Sequence, residues 1–564
     1  MYRSKSSGLL LILCLGFLAR ASEVAASGQA KARSEPVASS DATIGATPQQ
    51  GNTRISPIVP VDLGGQCQNS SPDLGDTRNL SAGSLINSLN VSSLTTKWVF
   101  TTGGSVSATP AVADGVVYFP DWAGNLYAVD GNTGKQIWSR QISSYDGVSG
   151  AISRVTPAVV GNELIFGDNL GDQGPHQGAN LIAVNRLTGN LLWITQVDPH
   201  AAAIITGSAV VYKCVVYQGI SSDEEQYATS ATYTCCTFRG SVVAANALSG
   251  KVIWQTYDLP DNKGAATQYS GNGIWQTPVI DSARGLLYIG TGNNYSVPAN
   301  VSACRADNPA SATCDAVDDY FDAVMALDLR TGAVKWAKTL QGYDVWTVSC
   351  AVPNGGNPCP YPPGEDWDFG GAGGNLLPTM VGFGQKSGVY RALNPADGSI
   401  LWDTSVGPGG SLGGIQWGTA TDGQRIYMAI TNNNNVSYTL ASGQTINWGS
   451  WSALDTATGK ILWQTADPSN GAWDMGAVSV ANGVMFAGSL DGHMYALDAA
   501  TGKVLWSFLT GGSVIDSPAI AGNVMYWGSG YDRSGGTNNN KVYAFSVAAT
   551  PQPITLPTHP LPMK

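Results

Sequence analysis

Side chains that could bind a cation through oxygen stand near the ends of predicted strands in the middle of the chain. They are Glu224 and Glu225 in Gly219-Ile-Ser-Ser-Asp-Glu-Glu225, Asn293 in Gly290-Thr-Gly-Asn-Asn-Tyr295, and Asp368 in Glu365-Asp-Trp-Asp-Phe-Gly370. Carboxylate and amide oxygens suit a hard cation such as Ca²⁺ rather than zinc. Each motif is weak by itself, because an acidic loop is usually solvated and Asn-Asn after Gly is usually a turn.

The sequence argues against several other chemistries. Its histidines are scattered and form neither a zinc pattern nor a Ser/His pair; they are His176, His200, His493 and His559. We find no P-loop and no strand–GxGxxG–helix unit, which makes nucleotide chemistry a poor hypothesis. The formal net charge is −11 and no basic stripe is present, so neither nucleic acid nor an anionic membrane surface is an expected partner.

A repeated hairpin positions these side chains. The clearest copy is Ala496-Leu-Asp-Ala-Ala-Thr-Gly-Lys-Val-Leu-Trp506, in which Gly occupies a turn that needs positive φ and Trp closes the second strand. Copies occupy residues 128–138, 183–193, 245–254, 326–336, 392–402, 453–463 and 496–506. Another apolar strand pair precedes most copies, so one unit holds about four strands, and this periodicity predicts a β-propeller.

The two ends of the chain supply one more unit. Lys97-Trp98-Val-Phe100 resembles the last strand of a blade that lacks its beginning, whereas Asn523–Tyr526 and Lys541–Phe545 lack the Trp-bearing end. Joined, these halves make an eighth blade and leave no open sheet edge. The sequence therefore predicts an all-β protein, an eight-bladed β-propeller with Trp-bearing blade repeats, over residues 86–548.

The segments outside the propeller have other compositions. Residues 1–26 combine Arg3 and Lys5 with a short apolar run and small residues, which is typical of a secretory signal peptide. Residues 27–85 are predicted to be a disordered leader and an N-terminal extension, and residues 549–564 a Pro-rich tail. No later run reaches the length of a membrane span. We therefore expect an exported protein, periplasmic or secreted.

Eight cysteines remain after the signal peptide, and an even number in an exported chain suggests disulfides. Pairs Cys304–Cys314 and Cys350–Cys359 would staple long loops, and Cys235–Cys236 could form a bond between neighbours. Pairing of either neighbour with Cys214 or Cys67 is the alternative. No Cys-x-x-Cys-His motif is present, so covalent c-type haem is not expected.

Taken together and in this order, the motifs resemble the quinoprotein alcohol dehydrogenases that use pyrroloquinoline quinone (PQQ), most closely the polyvinyl alcohol dehydrogenase branch. The resemblance covers about residues 98–545. Its most specific stretches are residues 206–224 and 235–242, Gly273-Ile-Trp275, Tyr288-Ile-Gly-Thr-Gly-Asn293, Asp366-Trp-Asp-Phe369, Gln385-Lys-Ser-Gly388 and Gly413-Gly-Ile-Gln-Trp417.

The resemblance implies a role for each matching residue. The calcium ligands of the family fall on Glu224, Asn293 and Asp368, with Glu225 replacing Glu224 if the alignment shifts by one residue. Asp368 also takes the place of the catalytic base, and Lys386 that of the basic residue facing the quinone oxygens. The cofactor-binding positions fall on Arg154, Thr206, Ser221, Trp275, Lys386, Gln416, Cys235 and Cys236, with Trp275 stacking on the quinone plane.

Three positions depart from the family pattern. The vicinal cysteines usually precede the Glu motif by one blade, whereas Cys235-Cys236 follows it here. Gln416 replaces a family Asn. Gly370 stands where lanthanide-using enzymes are expected to carry an extra Asp, so the pattern favours calcium.

These positions predict PQQ- and calcium-dependent oxidation of alcohols, secondary alcohols in particular, with polyvinyl alcohol or a related polyol as candidates. Asp368 would accept the alcohol proton while hydride leaves carbon, and Lys386 would offset the charge that develops on the reduced quinone. A separate electron acceptor, such as a cytochrome c, is expected because no haem segment is present. The alternative is a non-catalytic propeller of the same ancestry that serves as a scaffold or binding protein.

Overall fold

The computed structural model describes residues 73–170, 177–309, 311–352, 356–369, 371 and 373–547. These residues form eight antiparallel sheets of four main strands each, arranged as the blades of a β-propeller. The predicted fold class is therefore confirmed. The predicted signal peptide, the leader to residue 72, Cys67, His176 and the tail lie outside the described residues. None of the described helices is both long and apolar enough to cross a membrane.

Each blade contributes its strands in chain order. Blade 1 contains Ala111–Ala113, Val116–Pro120, Asn125–Asp130 and Gln136–Gln141; blade 2 contains Ala158–Val160, Glu163–Gly167, Ala179–Asn185 and Leu191–Asp198; blade 3 contains Val210–Tyr212, Val215–Ser222, Ser241–Asn246 and Val252–Tyr257, with Ala203–Ile204 as an added short strand; blade 4 contains Val279–Asp281, Leu286–Gly290, Ala323–Asp328 and Val334–Thr339.

The second half of the ring repeats this order. Blade 5 contains Gly374–Leu377, Met380–Gly384, Val389–Leu393 and Ile400–Ser405; blade 6 contains Ala420–Thr421, Arg425–Ile430, Ser450–Asp455 and Ile461–Ala466; blade 7 contains Val478–Ala481, Val484–Gly488, His493–Asp498 and Val504–Leu509; blade 8 contains Ala519–Ala521, Val524–Ser529, Lys541–Ser546 and, from the other end of the chain, Thr95–Thr101.

Small elements occupy the connections. Two short ladders pair Ser270–Gly271 with Asn294–Ser296 and Tyr438–Thr439 with Thr445–Ile446. The α-helices are Ser143–Asp146, Glu224–Tyr227 and Ala299–Asp307, and the 3₁₀ turns are Val91–Ser93, Ala312–Cys314 and Val348–Cys350.

The repeated Trp and Gly hold neighbouring blades together. In blade 7, Asp498 accepts hydrogen bonds from the backbone N–H and hydroxyl of Thr501, and Gly502 follows at φ +73°. A Cβ on Gly502 would lie 2.5 Å from the ring of Trp463 in blade 6, whose indole N–H donates to the Ala499 carbonyl at 3.1 Å. Only Gly allows both the positive φ and this close approach. The same Gly-on-Trp contact recurs at Gly134, Gly189, Gly250, Gly332, Gly398 and Gly459.

Blade 8 closes the ring as the sequence predicted. Strand Thr95–Thr101 pairs antiparallel with Lys541–Ser546, with Trp98 opposite Ala544. The Trp98 indole N–H then donates to the Gly131 carbonyl of blade 1 at 3.0 Å. The outer strand of the last blade thus comes from the start of the propeller.

Residues 74–86, here called the N-terminal strap, run beneath five blades. The Leu74, Gly75 and Thr77 carbonyls accept from backbone N–H groups of blades 4, 5 and 6 at 2.8, 2.9 and 2.8 Å. Further along, the Arg78 carbonyl accepts from Val480 of blade 7, and Leu85 donates to Gly522 of blade 8. The strap therefore follows the first strands of five of the eight blades.

The disulfides link local segments. Cys235–Cys236, Cys304–Cys314 and Cys350–Cys359 are bonded, as the sequence suggested. Cys214 also takes part in a disulfide.

Candidate active site on the upper face

Strand direction alternates within each blade, so two kinds of connection open on the same side of the ring. These are the connections between second and third strands and those from a fourth strand to the next blade; we call this side the upper face. The first kind carries Glu224, Glu225, Asn293 and Lys386. The second kind carries Arg154, Thr206, Trp275, Asp368 and Gln416, and Ser221 lies near the upper end of its strand. The fold thus brings all the predicted site residues to one face.

Lys386 pairs with two carboxylates of the Asp366-Trp-Asp368 motif. Its Nζ lies 2.8 Å from Asp366 Oδ1 and 3.1 Å from Asp368 Oδ2, and all three side chains are buried. Burial alone would lower the pKa of Lys386, but the charges of Asp366, Asp368 and Glu225 outweigh it and raise that pKa. Lys386 is therefore held as a cation.

Backbone bonds hold Asp368 between two blades. The Lys386 N–H donates to the Asp368 carbonyl at 3.1 Å, and the N–H of buried Phe369 donates to the Thr291 carbonyl of blade 4 at 3.1 Å. Asp344 fixes the preceding turn by accepting from the N–H groups of Asp366 and Trp367 at 3.1 and 2.8 Å. The carboxylate of Asp368 is thus positioned by rigid neighbours.

Glu224 and Glu225 point to different surroundings. The buried Glu224 carboxylate accepts from the Tyr233 hydroxyl at 2.9 Å and from the N–H groups of Thr237 and Phe238, both at 2.8 Å. It therefore anchors the loop that carries Cys235-Cys236. Burial raises the pKa of Glu225 to about 7, with Lys386 opposing and Asp368 adding to the shift. The charge of Glu225 also acts on Lys386 and raises the pKa of that lysine, so Glu225 is the alternative that we carry forward as the metal ligand.

Asn293 supplies an amide oxygen beside the same cluster. Its side-chain nitrogen donates to the carbonyls of Asn294 and Trp346, both at 2.9 Å, which leaves Oδ1 as the ligand atom. The neighbouring Gly292 is close to Asp368, since a Cβ there would lie 3.6 Å from Asp368 Oδ2. In the part of the chain that the structure describes, no three His, Cys, Asp or Glu side chains are arranged to hold a metal. A cation here would therefore need amide oxygens as well.

Beside this cluster, a cavity of about 80 Å³ lies near the propeller axis and contains three of the predicted cofactor residues. Arg154, Thr206 and Trp275 line it together with Trp417 and Gly371. Trp275 meets Trp417 edge-on, with ring centroids 5.0 Å apart, and Lys386 Nζ lies 5.3 Å from the Trp275 ring. Gly371 packs so close to Trp275 that a Cβ would collide with the indole ring.

Arg154 is a cation surrounded by aromatic rings. Its guanidinium carbon lies 4.5 Å from the centroid of Trp417, 5.3 Å from that of Trp122 and 5.6 Å from that of Tyr531. No carboxylate among the described residues lies within ion-pairing distance of it. Its hydrogen-bonding capacity is therefore available for an anion.

Three buried polar atoms near the cavity have no hydrogen-bond partner within the described structure. They are Thr206 Oγ1, Gln416 Oε1 and Trp417 Nε1. Buried polar atoms are normally satisfied, so such a group indicates a place where a ligand or water completes the bonding. Ser221 is buried in the neighbouring strand, where a Cβ on Gly273 would lie 2.7 Å from its Oγ.

The vicinal disulfide lies beside the Glu224 loop. Cys236 is fully buried in the apolar cluster that spans blades 1 to 3, and Cys235 packs against that cluster. Neither cysteine is among the residues that line the axial cavity. The cofactor-binding role that the resemblance implies for them remains a prediction.

Two residues of the candidate site, Asp366 and Arg78, were not predicted from the sequence. The sequence pattern assigns no role to Asp366, yet this residue makes the shorter contact with Lys386, 2.8 Å against 3.1 Å for Asp368. Arg78 of the N-terminal strap lines the axial cavity with Arg154, although the sequence placed it in an extension outside the propeller. The spacing of two Asp around one Trp could have identified Asp366, whereas no local signal marked Arg78.

Comparisons with known proteins bear on the family and the fold. The family model described as "Outer membrane protein assembly factor BamB" matches residues 95–338 and 447–550. A polyvinylalcohol dehydrogenase of Sphingopyxis sp. (strain 113P3) is 31% identical over 89% of this chain and 80% of its own length. A second polyvinylalcohol dehydrogenase, of Pseudomonas sp., is 28% identical over 81% and 73%. Among solved structures, the quinohemoprotein alcohol dehydrogenase of Comamonas testosteroni has a TM-score of 0.64 at 20% identity, over 86% of this chain and 81% of that one, which supports the fold.

Proposed function

This chain belongs to the quinoprotein alcohol dehydrogenase family, with polyvinyl alcohol dehydrogenases among its relatives, and from that premise we propose that it oxidises secondary alcohols with PQQ and Ca²⁺. Polyvinyl alcohol or a related polyol is the proposed substrate class. The observation that carries the proposal is the buried Lys386–Asp366–Asp368 cluster next to a cavity with unsatisfied polar atoms.

The side chains around the cavity fit a planar polyanion. Trp275 offers an indole face for a flat ring system, Arg154 offers a guanidinium for a carboxylate, and Thr206 and Gln416 offer polar atoms at the rim. The cavity of about 80 Å³ has room for only a few waters, each of about 30 Å³. Binding a tricyclic quinone therefore requires the close contact between Gly371 and the Trp275 ring to open.

The oxygen cluster fits a calcium ion. Glu225, Asn293 and Asp368 would be its ligands, since carboxylate and amide oxygens match a hard cation. The raised pKa of Glu225, about 7, reflects burial of a carboxylate beside other carboxylates, and a divalent cation would relieve that repulsion. Bound together, the quinone and calcium would supply the two-electron acceptor and a Lewis acid.

The side chains of the protein would accept the proton, orient the reacting groups and exclude water. Asp368 would accept the hydroxyl proton of the alcohol on its carboxylate, as a general base. Lys386 would place a positive charge 3.1 Å from Asp368 Oδ2 and would fix the orientation of that carboxylate. Trp275 would exclude water from one side of the reacting centre.

Reconstitution with PQQ and Ca²⁺ tests this proposal. We expect saturable quenching of tryptophan fluorescence on addition of PQQ, and dye-linked oxidation of 2-propanol that chelator abolishes. Asp368→Asn should retain the quenching and lower kcat by about 10²- to 10⁴-fold, the usual contribution of a general base. The control Asp397→Asn changes a fully exposed turn residue that bonds only within its own turn and should behave like the wild type.

Two results would contradict the proposal. Full turnover by Asp368→Asn would remove this residue from the base role. Absence of PQQ binding by the wild type would leave the scaffold alternative, which the dehydrogenase relatives do not favour.

Electron transfer and location complete the proposal. We expect a separate acceptor such as a cytochrome c, because the sequence holds no c-type haem motif. Export to the periplasm or the medium follows from the predicted signal peptide and agrees with the disulfides at Cys304–Cys314 and Cys350–Cys359.

A further inference from the structure

We infer that Asp258 and Asp319, in connections of blades 3 and 4 on the upper face, bind a calcium ion separate from the one proposed for the active site. We call this the inter-blade site. The inference goes beyond the proposed function, because neither residue belongs to the proposed quinone or calcium site. The ion would hold the connection that leaves blade 3 against the one that lies between two strands of blade 4.

The carboxylate of Asp258 is buried without a hydrogen-bond partner. The residue is 1% exposed, and neither Oδ1 nor Oδ2 has a partner within the described structure. The charge of Arg239 acts on this carboxylate, but the guanidinium itself lies against Asp261, at 3.7 Å. Burying a carboxylate that nothing pairs with is unfavourable, so these two oxygens indicate a ligand that completes their bonding.

The same position in other blades carries an aspartate whose carboxylate is bonded within its own turn. Asp198 and Asp467 stand at the ends of the fourth strands of blades 2 and 6, and each accepts from the N–H two residues later, at 2.7 Å. Asp258 follows the fourth strand of blade 3, but the residue two positions later is Pro260, which has no N–H. Capping of the turn therefore does not account for Asp258.

Asp319 supplies a second carboxylate beside Asp258. Its Oδ1 accepts from the side chains of Asn272 and Asn294 at 3.1 and 3.0 Å, whereas its buried Oδ2 has no partner within the described structure. The next residue, Tyr320, donates its N–H to the Asp258 carbonyl at 2.9 Å, which ties the two acidic segments together. The charge of Asp319 adds to burial in raising the pKa of Asp258, as expected for neighbouring carboxylates.

A small space beside Gly240 would receive the ion. The Asn272 carbonyl oxygen and Asp258 Oδ1 lie 2.0 and 2.8 Å from the position that a Cβ on Gly240 would take, so a side chain there would fill this space. Two carboxylates balance the charge of a divalent cation, and carboxylate and carbonyl oxygens are the usual ligands of Ca²⁺. Mg²⁺ fits less well, because it usually keeps several waters and both carboxylates are buried.

The inter-blade site adjoins the candidate active site through two asparagines. Asn294 donates its side-chain hydrogen bond to Asp319 and accepts the Asn293 side chain on its carbonyl at 2.9 Å. An ion bound by Asp319 would therefore stiffen the segment that positions Asn293, without touching the reacting groups.

Calcium binding by the full chain, purified without PQQ and treated with chelator, tests the inter-blade site. Equilibrium dialysis with radioactive calcium would be carried out on Glu225→Gln, in which a proposed ligand of the active-site calcium is removed. We expect this protein to bind one calcium ion. Its melting temperature should rise when calcium is added, because the ion binds the folded state.

A second substitution and a matched control identify the ligands. Asp258→Asn, added to Glu225→Gln, should weaken the remaining calcium binding at least about tenfold and remove the rise in melting temperature, since affinity depends on the number of charged ligands. Asp198→Asn makes the same change at the same position of blade 2 and should keep both. Asp319→Asn removes the other carboxylate and serves if Asp258→Asn does not fold.

The outcomes separate this inference from the proposed function. A Glu225→Gln protein that binds no calcium, or calcium binding that persists unchanged in a folded Asp258→Asn or Asp319→Asn variant, would overturn the inter-blade site. Failure of the proposed function has another signature. The wild type would then bind no PQQ, and Glu225→Gln would bind as many calcium ions as the wild type.

Discussion

Replacing Lys386 by Met should destabilise the metal-free protein in a pH-dependent manner. Lys386 is the described cation that pairs with both Asp366 and Asp368, at 2.8 and 3.1 Å. At 2.8 Å and an effective dielectric constant of about 20, one such attraction is worth about 6 kcal/mol. Because the variant also avoids burying a lysine, we expect a net loss of about 3–5 kcal/mol in the free energy of unfolding at pH 8.

The pH dependence follows from the pKa of Asp366, which burial raises well above its usual value while Lys386 opposes the shift. A carboxyl whose pKa is raised by folding favours the folded state at low pH and loses that contribution as the pH rises through the folded-state pKa. Without Lys386 this pKa rises further. The loss caused by Lys386→Met should therefore be smaller at pH 5, where more of the carboxyls are protonated, than at pH 8.

Urea unfolding in the presence of chelator, followed by tryptophan fluorescence at both pH values, measures these losses. Lys335→Met is the matched control, because Lys335 lies 3.3 Å from Asp328 with about half of its side chain exposed. Such an exposed pair is worth at most about 1 kcal/mol. Equal losses for the two variants, or a Lys386→Met loss that does not grow between pH 5 and pH 8, would refute this account of the cluster.

Three further predictions concern binding. Glu225→Gln should abolish calcium-dependent PQQ binding, whereas Glu224→Gln should retain it. Glu224→Gln should lower the free energy of unfolding by about 1–3 kcal/mol, because the new NH₂ group would face the N–H donors of Thr237 and Phe238. The reverse pattern in calcium titrations would return the ligand role to Glu224. The pKa of Glu225 is about 7 without metal, so protons should compete with calcium at lower pH. The apparent calcium affinity should therefore fall up to about tenfold for each pH unit below 7. A constant affinity, measured by calorimetry from pH 5.5 to 8, would contradict this prediction. Arg154→Leu should weaken PQQ binding at least tenfold in fluorescence titrations, since a charge-assisted hydrogen bond contributes about 1.5–3 kcal/mol. The control Arg330→Leu, on an exposed turn, should leave the affinity unchanged. Equal affinities for the two variants would exclude Arg154 from the cofactor site.

The sequence predicted the ring because its signal is repeated and local. Each Trp packs on the turn Gly of the next blade, so both residues recur at fixed spacing, as in Trp463 and Gly502. The grouping of the site residues was also predictable. Loops at the same ends of alternating strands must share a face, which brought Asn293, Asp368 and Lys386 together.

The finer features had no such signal. Glu224 and Glu225 open a four-residue helix, where one position changes the direction of a side chain by about 100°. Hydrogen bonds from the Tyr233 hydroxyl and from the N–H groups of Thr237 and Phe238 decide that Glu224, rather than Glu225, is bonded to the cysteine loop. These donors lie in a loop whose path the sequence pattern does not specify.

The closure of blade 8 constrains the order in which this chain can fold. Strand Thr95–Thr101 is the first strand of the propeller to be synthesised, and its partner Lys541–Ser546 is the last. Until then, the ring is an open array with an unpaired edge, which is a site for aggregation. The cost of closure grows only logarithmically with the length of the intervening chain, by about 0.6 kcal/mol per doubling. The time needed to synthesise the last strands of the propeller, rather than the entropy of closure, therefore determines how long the unpaired edge is exposed to aggregation. Loss of a few residues from strand Lys541–Ser546 would leave the ring open permanently.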